Sequence, residues 1–303
     1  MYPGSITDVK GVLVGHATNA AARTGATAVL FENGAVAGVD VRGGGPGTRE
    51  TDAMAPGRLV EKIDAVMLAG GSAFGLDAAG GAMRWLEAHG HGFDTGFARV
   101  PIVGSAVIFD LGCGASDVRP DAAMGFAACE AARRACPQGS VGAGTGATVG
   151  KLVPGRPPVK CGIGTASLPL PSGAVLGALA VVNAAGDVYD PETGECLAGS
   201  GAMAAFLGQN AATPQSFTGN TTLGVIATDA KLTHEQAHRL ALLAHDGYAR
   251  AIRPVHLPVD GDTVFAASTG DIEENYLLIC ALAAEVMARA IANAALAARG
   301  EPV

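Results

Sequence analysis

The sequence predicts an α/β sandwich, with sheets covered by helices. Apolar, β-branched runs of strand length alternate with Ala-rich runs of helical period. The strand-like runs cluster toward both ends of the chain without regular strand–helix–strand spacing, which argues against a simple doubly wound sheet. A length of 303 residues, 49% hydrophobic and 16% charged, supplies enough apolar surface for a large core in one large or two fused domains. Strands are expected over 12–16, 27–31, 35–41 and 65–68, and a helix over 74–89 behind the tight turn Gly70-Gly71-Ser72. A strand over 106–110 and a helix over 121–135 follow, then a strand over 175–182 and a short helix over 200–207. Strands over 223–228 and 263–268 alternate with helices over 233–252 and 272–298. Thr233 and Gln236 form a capping box, and Ala237, Leu240, Ala241, Ala244 and Tyr248 keep helical spacing behind it.

Composition excludes several classes of function. A net charge of −8 with only five lysines leaves no basic surface for nucleic acid or anionic membranes. The opening Met1-Tyr2-Pro3-Gly4-Ser5 lacks a secretory signal's basic-then-apolar pattern. The apolar C-terminal helix is interrupted by Glu285, Arg289 and Asn293, so no membrane span is expected. Six cysteines without paired or metal-type spacing read as reduced thiols of a cytoplasmic protein, with no metal and no cofactor. The 44 glycines follow no collagen-like period and mark turns and close backbone approaches.

The segment richest in chemistry is Gly219-Asn220-Thr221-Thr222, where a breaker-rich loop over 208–220 runs into an apolar strand. A cut before Thr221 would give one residue both a hydroxyl nucleophile and a free α-amine. Such an amine has a pKa of about 7.7–8.0 and can act as a base beside the hydroxyl. The bland alternative is a plain strand start.

Four further segments carry candidates. Asp260-Gly261-Asp262 places two carboxylates two residues apart before a strand; it reads either as support for a nucleophile or as a solvated turn. Gly142-x-Gly144-Thr145-Gly146 and on to Lys151 misses the phosphate-loop pattern, since Leu152 stands where Ser or Thr is needed. It reads instead as a flexible backbone that delivers a rare lysine, Lys151, or as a solvated loop end. Asn183 closes an apolar strand and is either a turn former or an amide donor to an oxyanion. Ser72 is read as a helix cap near a pocket, because Phe74 breaks the nucleophile-elbow pattern. Among the histidines, His256 either lines the site near Asp260 or is structural, like the other six.

Together with Asp40-Val41-Arg42-Gly43-Gly44-Gly45-Pro46-Gly47-Thr48-Arg49-Glu50-Thr51-Asp52, Gly70–Gly75 and Val181-Val182-Asn183, these segments resemble the L-aminopeptidase/D-esterase family over nearly the whole chain. β-Peptidyl aminopeptidases and the endo-type nylon-oligomer hydrolase belong to it. The resemblance implies one four-layer αββα domain over 1–303, related to ornithine acetyltransferases, and self-cleavage between Asn220 and Thr221 into 1–220 and 221–303. It implies Thr221 as nucleophile, Asp260 and Asp262 as its carboxylate support, Lys151 beside them and Asn183 as the oxyanion donor. The Asn-Thr junction, the Asp pair and the lysine look more like the nylon-oligomer branch, although Phe109 stands where that branch has tyrosine. The expected substrates are short amino-terminated amides or peptides, drawn to an acidic lining near the Asp pair and held by Phe74 and Phe109. A homotetramer of αβ units is expected. An acyltransferase passing the acyl group to an amine, and an uncleaved small-ligand binder, are the competing readings.

Overall fold

One long strand ties the architecture together. The computed structural model describes residues 1–208, 213 and 219–303. Its main sheet has nine strands: β1 (Val12–Asn19), β2 (Thr24–Val41), β3 (Thr48–Arg49), β4 (Lys62–Ala69), β5 (Val103–Val107), β6 (Ile163–Pro169), β7 (Val175–Asn183), β8 (Thr221–Ala230) and β9 (Thr263–Ile272). The helices are α1 (Ala78–Ala88), α2 (Ala122–Glu130), α3 (Ala202–Leu207), α4 (His234–Ala251) and α5 (Tyr276–Ala297). The strand order is β6-β7-β8-β9-β2-β4-β5-β3, with β1 also on β2. The first half of β2 pairs with β1 and β4, and its second half pairs with β9. Two strands were expected here, split by Glu32-Asn33-Gly34. The chain instead stays extended through a register shift between Leu30 and Ala35.

Side-chain alternation along these strands makes the layers. Val29 and Phe31 of β2, Val66 and Leu68 of β4, Leu179 and Val181 of β7 and Leu223 and Val225 of β8 all enter one central core between the two halves of the sheet. Their neighbours point the other way. Ala28, Leu30 and Met67 meet Ala82, Leu86 and Ala128 of α1 and α2. Ala180, Val182 and Ile226 meet Leu240, Tyr248, Met287 and Ile291 of α4 and α5. Three cores between four layers constitute the expected αββα sandwich.

Several boundaries differ from expectation for local reasons. The strand expected over 106–110 ends at Val107, because Asp110 turns away to accept bonds from Gly71 N–H (2.6 Å) and the Thr24 hydroxyl (2.7 Å). The helix expected to Ala135 ends at Glu130, and Arg133 instead pairs its backbone with Val14. Strand β6 was missed, since its Gly-Thr-Ala-Ser run is too small and polar to signal burial. Ser72 is not a helix cap: it lies inside the 3₁₀ turn Ser72–Asp77, with φ at 54° and no side-chain capping bond. The Thr233–Gln236 capping box is present. Helix α5, with a mean hydropathy of 1.7, is long and apolar enough to cross a membrane by length and composition, but 61% of its most apolar stretch is buried in this fold. Much of the loop over 208–220 lies outside the described residues.

Candidate active site

Topology gathers the candidate residues at the ends of three adjacent strands, β7, β8 and β9. Strands β8 and β9 run parallel, so their first residues lie side by side, and Asn220 bridges to Asp260 just ahead of them. Strand β7 runs antiparallel to β8, so its last residue meets β8's first: Asn183 pairs with Thr221. The segment leading to Lys151 is tied to the chain leaving β7, with Gly150 N–H donating to Gly186 O and Lys151 N–H to Ala185 O, both at 2.9 Å. Residues separated by more than a hundred positions in sequence thus converge on the bond between Asn220 and Thr221.

The site around that bond is nearly closed. Thr221 is 4% exposed, and its hydroxyl donates to the carbonyl of Asn220 at 2.5 Å. The same carbonyl accepts the backbone N–H of Gly261 at 2.9 Å. A carbonyl that accepts two donors is polarised at its carbon, the atom a hydroxyl would attack. Sequence reading treated Gly261 only as the spacer between two aspartates. A β-carbon there would stand 2.6 Å from the Thr221 hydroxyl oxygen and 2.8 Å from Gly45 O, so only glycine brings an N–H this close.

Lys151 and Asn183 act on the preceding carbonyl. Lys151 Nζ donates to Asn183 Oδ1 (2.8 Å), Asn183 O (3.0 Å) and Gly219 O (3.3 Å). Asn183 Nδ2 donates to Gly219 O (3.2 Å) and Phe109 O (3.1 Å), while its Oδ1 also accepts Thr148 N–H. In the uncleaved chain Asn183 therefore contacts the carbonyl one peptide upstream of Asn220. Burial pushes the Lys151 ammonium down to about 7, only partly offset by the Cys113 and Asp260 charges.

The two aspartates divide their work. Asp260 accepts N–H bonds from Leu257 (2.9 Å) and Ala185 (3.4 Å). Burial first, and the Asp262 charge second, push its carboxyl up to about 6. Asp262 accepts the N–H of Thr222 at 2.7 Å and so fixes the peptide that follows Thr221. Its other oxygen is held by His256, through Nδ1 at 2.8 Å and the backbone N–H at 3.2 Å. His256 has φ at 56°, uncommon for a residue with a β-carbon, and it packs edge-on to His245 and beside Tyr248. The Tyr248 hydroxyl donates to Thr222 O and Thr263 O, bracing both strand starts from behind.

A cleft of about 270 Å³ opens beside these residues, walled by Phe109, Lys151, Pro158 and Gly219, with Arg23 and Arg156 at its sides and Val303 at its rim. Gly219 lies against the Phe109 ring, where a β-carbon would come within 2.4 Å of Cδ1. Phe109 is held by the Gly70-Gly71-Ser72 turn, whose N–H groups bind Asp110 and Ile108 O. That turn thus serves as a brace. Phe74 does not line the cleft; it is 57% exposed beneath the Arg119 guanidinium, and Ser72 does not line it either. Asp260 and Asp262 are buried with their oxygens engaged, so the cleft does not present the expected acidic lining. A larger surface cleft, about 620 Å³, lies between Glu61 and Arg99 and contains none of these residues. Among the described residues, no group of three or more His, Cys, Asp or Glu is placed to hold a metal ion.

Comparison with known proteins gives the family and the fold. The sequence profile of peptidase family S58 matches residues 4–301. An uncharacterized aminopeptidase of Mycobacterium tuberculosis is 47% identical over 289 residues, covering 88% of this chain and 82% of its own length. A 6-aminohexanoate-oligomer endohydrolase of Kocuria sp. is 33% identical over 316 residues, 95% of this chain and 85% of its own. Among solved structures, the L-aminopeptidase D-Ala-esterase/amidase of Ochrobactrum anthropi, described as a variant of the Ntn hydrolase fold, superposes with a TM-score of 0.73. It covers 98% of this chain and 88% of its own at 23% identity, a likeness of fold.

Proposed function

Since the chain belongs to peptidase family S58 and is a hydrolase of amide bonds, we propose that it cuts its own Asn220–Thr221 bond and then uses Thr221 as an N-terminal nucleophile on short amino-terminated amides or peptides. The observation that carries this reading is the doubly donated Asn220 carbonyl, with the Thr221 hydroxyl at 2.5 Å and Gly261 N–H at 2.9 Å. Before the cut the Thr221 nitrogen is an amide and cannot act as a base, so a neighbour must take the hydroxyl proton. We assign that role to Asp260, whose backbone bridges to Asn220 beside the bond and whose carboxyl is raised by burial to about 6.

The oxygen then attacks the Asn220 carbonyl carbon, and Gly261 N–H stabilises the resulting oxyanion. Collapse breaks the C–N bond, the nitrogen regains a proton, and Asn220 is left as an ester on the Thr221 oxygen. Water hydrolyses that ester and frees Asn220 as a carboxylate. In later turnovers the new α-amine is the base, and the substrate's acyl carbon takes the place of Asn220's. Asp262 and His256 keep the Thr222 peptide fixed throughout. Lys151 and Asn183, released from Gly219, face the substrate's acyl portion.

The test is processing itself. Wild-type protein should give two bands on a denaturing gel, and the smaller should begin at Thr221 by N-terminal sequencing. Thr221→Ala should stay a single full-length chain without amidase activity. Cleavage of the alanine variant at the wild-type rate would overturn the nucleophile assignment.

A further inference from the structure

Three cationic side chains line the cleft beside Gly219. Arg23 and Arg156 flank it and the Lys151 ammonium closes its floor, while no Asp or Glu side chain lines it among the described residues. Neither guanidinium has a carboxylate within ion-pair distance among the described residues, so neither charge is neutralised within the cleft. The Arg156 guanidinium donates to the Ser200 carbonyl, which anchors it in place without neutralising it. Arg23 is held at φ 54°, in the left-handed region that a residue with a β-carbon rarely adopts. The nearby buried carboxylates are already engaged: Asp110 by Gly71 and Thr24, Asp260 by Leu257 and Ala185. Lys151 spends its donors on Asn183 and Gly219, so its charge is felt in the cleft while the two arginines keep free N–H groups for a ligand.

We infer that this cleft is an anion-recognition subsite, and that the preferred substrates carry a carboxylate on the acyl side of the scissile amide. The side follows from the chain's own bond. Gly219 lines the cleft and precedes Asn220, so the cleft extends the acyl half of the Asn220–Thr221 bond, and the carbonyl of any later substrate must occupy the same place. Phe109 and Pro158 supply apolar wall for a short methylene stem, and the guanidinium groups suit a planar carboxylate at its end. This inference rests on the acyl-enzyme reading above for its choice of side, and it adds a substrate class to it.

Binding and turnover test the two separately. Reduced-amide analogues of glutamyl anilide and glutaminyl anilide, with CH2 in place of the carbonyl, cannot be cleaved and differ only in the side-chain charge. Titrated calorimetrically into wild-type protein, the glutamyl analogue should bind about tenfold tighter, equivalent to about 1.4 kcal/mol. Arg23→Gln and Arg156→Gln should each cut that preference several-fold without weakening the glutaminyl analogue, and the Lys variants should restore part of it. Equal affinity for the two analogues, binding of neither, or equal losses for both in the Gln variants would overturn the inference. If the preference holds but neither parent anilide is hydrolysed, the anion subsite stands and the proposed hydrolase mechanism fails.

Discussion

Replacing Gly261 by alanine tests the core of the mechanism with a single methyl group. That methyl would be built 2.6 Å from the Thr221 hydroxyl oxygen and 2.8 Å from Gly45 O, both well inside van der Waals contact. Thr221 is held on one side by pairing with Asn183 and on the other by the Asp262–Thr222 bond, so it has little room to yield. Relief therefore comes from displacing the 260–262 segment by roughly 1 Å, which stretches the 2.9 Å bond from Gly261 N–H to the Asn220 carbonyl. Loss of one oxyanion donor costs about a hundredfold to a thousandfold in rate. Misplacement of the attacking oxygen by about 1 Å costs a further factor of the same order when the two add. Self-cleavage, followed as the decay of the full-length band after refolding or rapid purification, should slow by at least about a hundredfold. The overpacking should lower stability by only about 1–3 kcal/mol, so a folded, uncleaved chain remains to be characterised by circular dichroism and thermal melting. A Gly261→Ala protein that stays folded and cleaves at the wild-type rate would refute the assignment of Gly261 N–H to the scissile carbonyl.

Two further outcomes follow from the same geometry. The rate of self-cleavage should be bell-shaped in pH: it rises near pH 6 as Asp260 loses its proton, and falls near pH 7 as Lys151 loses the charge that holds Asn183 and Gly219. Asp260→Asn should abolish the acid limb along with most of the rate, and a wild-type profile flat from pH 5 to 8 would exclude both groups. His256→Ala should slow cleavage by about tenfold by freeing Asp262, whereas His256→Asn, which tolerates positive φ and keeps a donor, should recover most of it; equal rates in all three proteins would mean that Asp262 needs no such support.

Much of this was legible in the sequence because it depended on local pattern. The continuous apolar run over 223–228 announced a buried strand, which the structure packs on both faces, and Thr233 with Gln236 announced the helix that covers one of them. The Asn220–Thr221 junction, the Asp pair, Lys151 and Asn183 were visible as unusual polar residues at element ends, and the structure brings all of them together at the ends of β7, β8 and β9. What escaped was whatever depends on approach between distant backbones. Gly261 matters through an N–H that any residue has, and only its missing β-carbon permits the contact. His256 required knowing that the chain doubles back onto Asp262. Phe74 looked like a pocket wall because it follows a tight turn, but the turn spends its N–H groups on the 108–110 segment and leaves that ring outside beneath Arg119. Arg23 gave no signal at all: its importance lies in a backbone angle and in the missing partner, and neither is written in composition.

Strand β8 is central, bonded to β7 on one side and β9 on the other along its length. A cut at its first residue would not loosen the sheet, since every inter-strand bond from Thr222 onward survives. It would, however, divide one folding unit into two polymers that share a single sheet, with β8, β9, α4 and α5 on one and the remaining elements on the other. In the folded state little would change; in the unfolded state everything would, because the two pieces could diffuse apart. Unfolding would become a dissociation and refolding a bimolecular encounter, so recovery after denaturation would depend on protein concentration. Maturation of this kind is a one-way gate: the chain must fold before it can cut, and once cut its persistence is governed by how slowly the sheet opens.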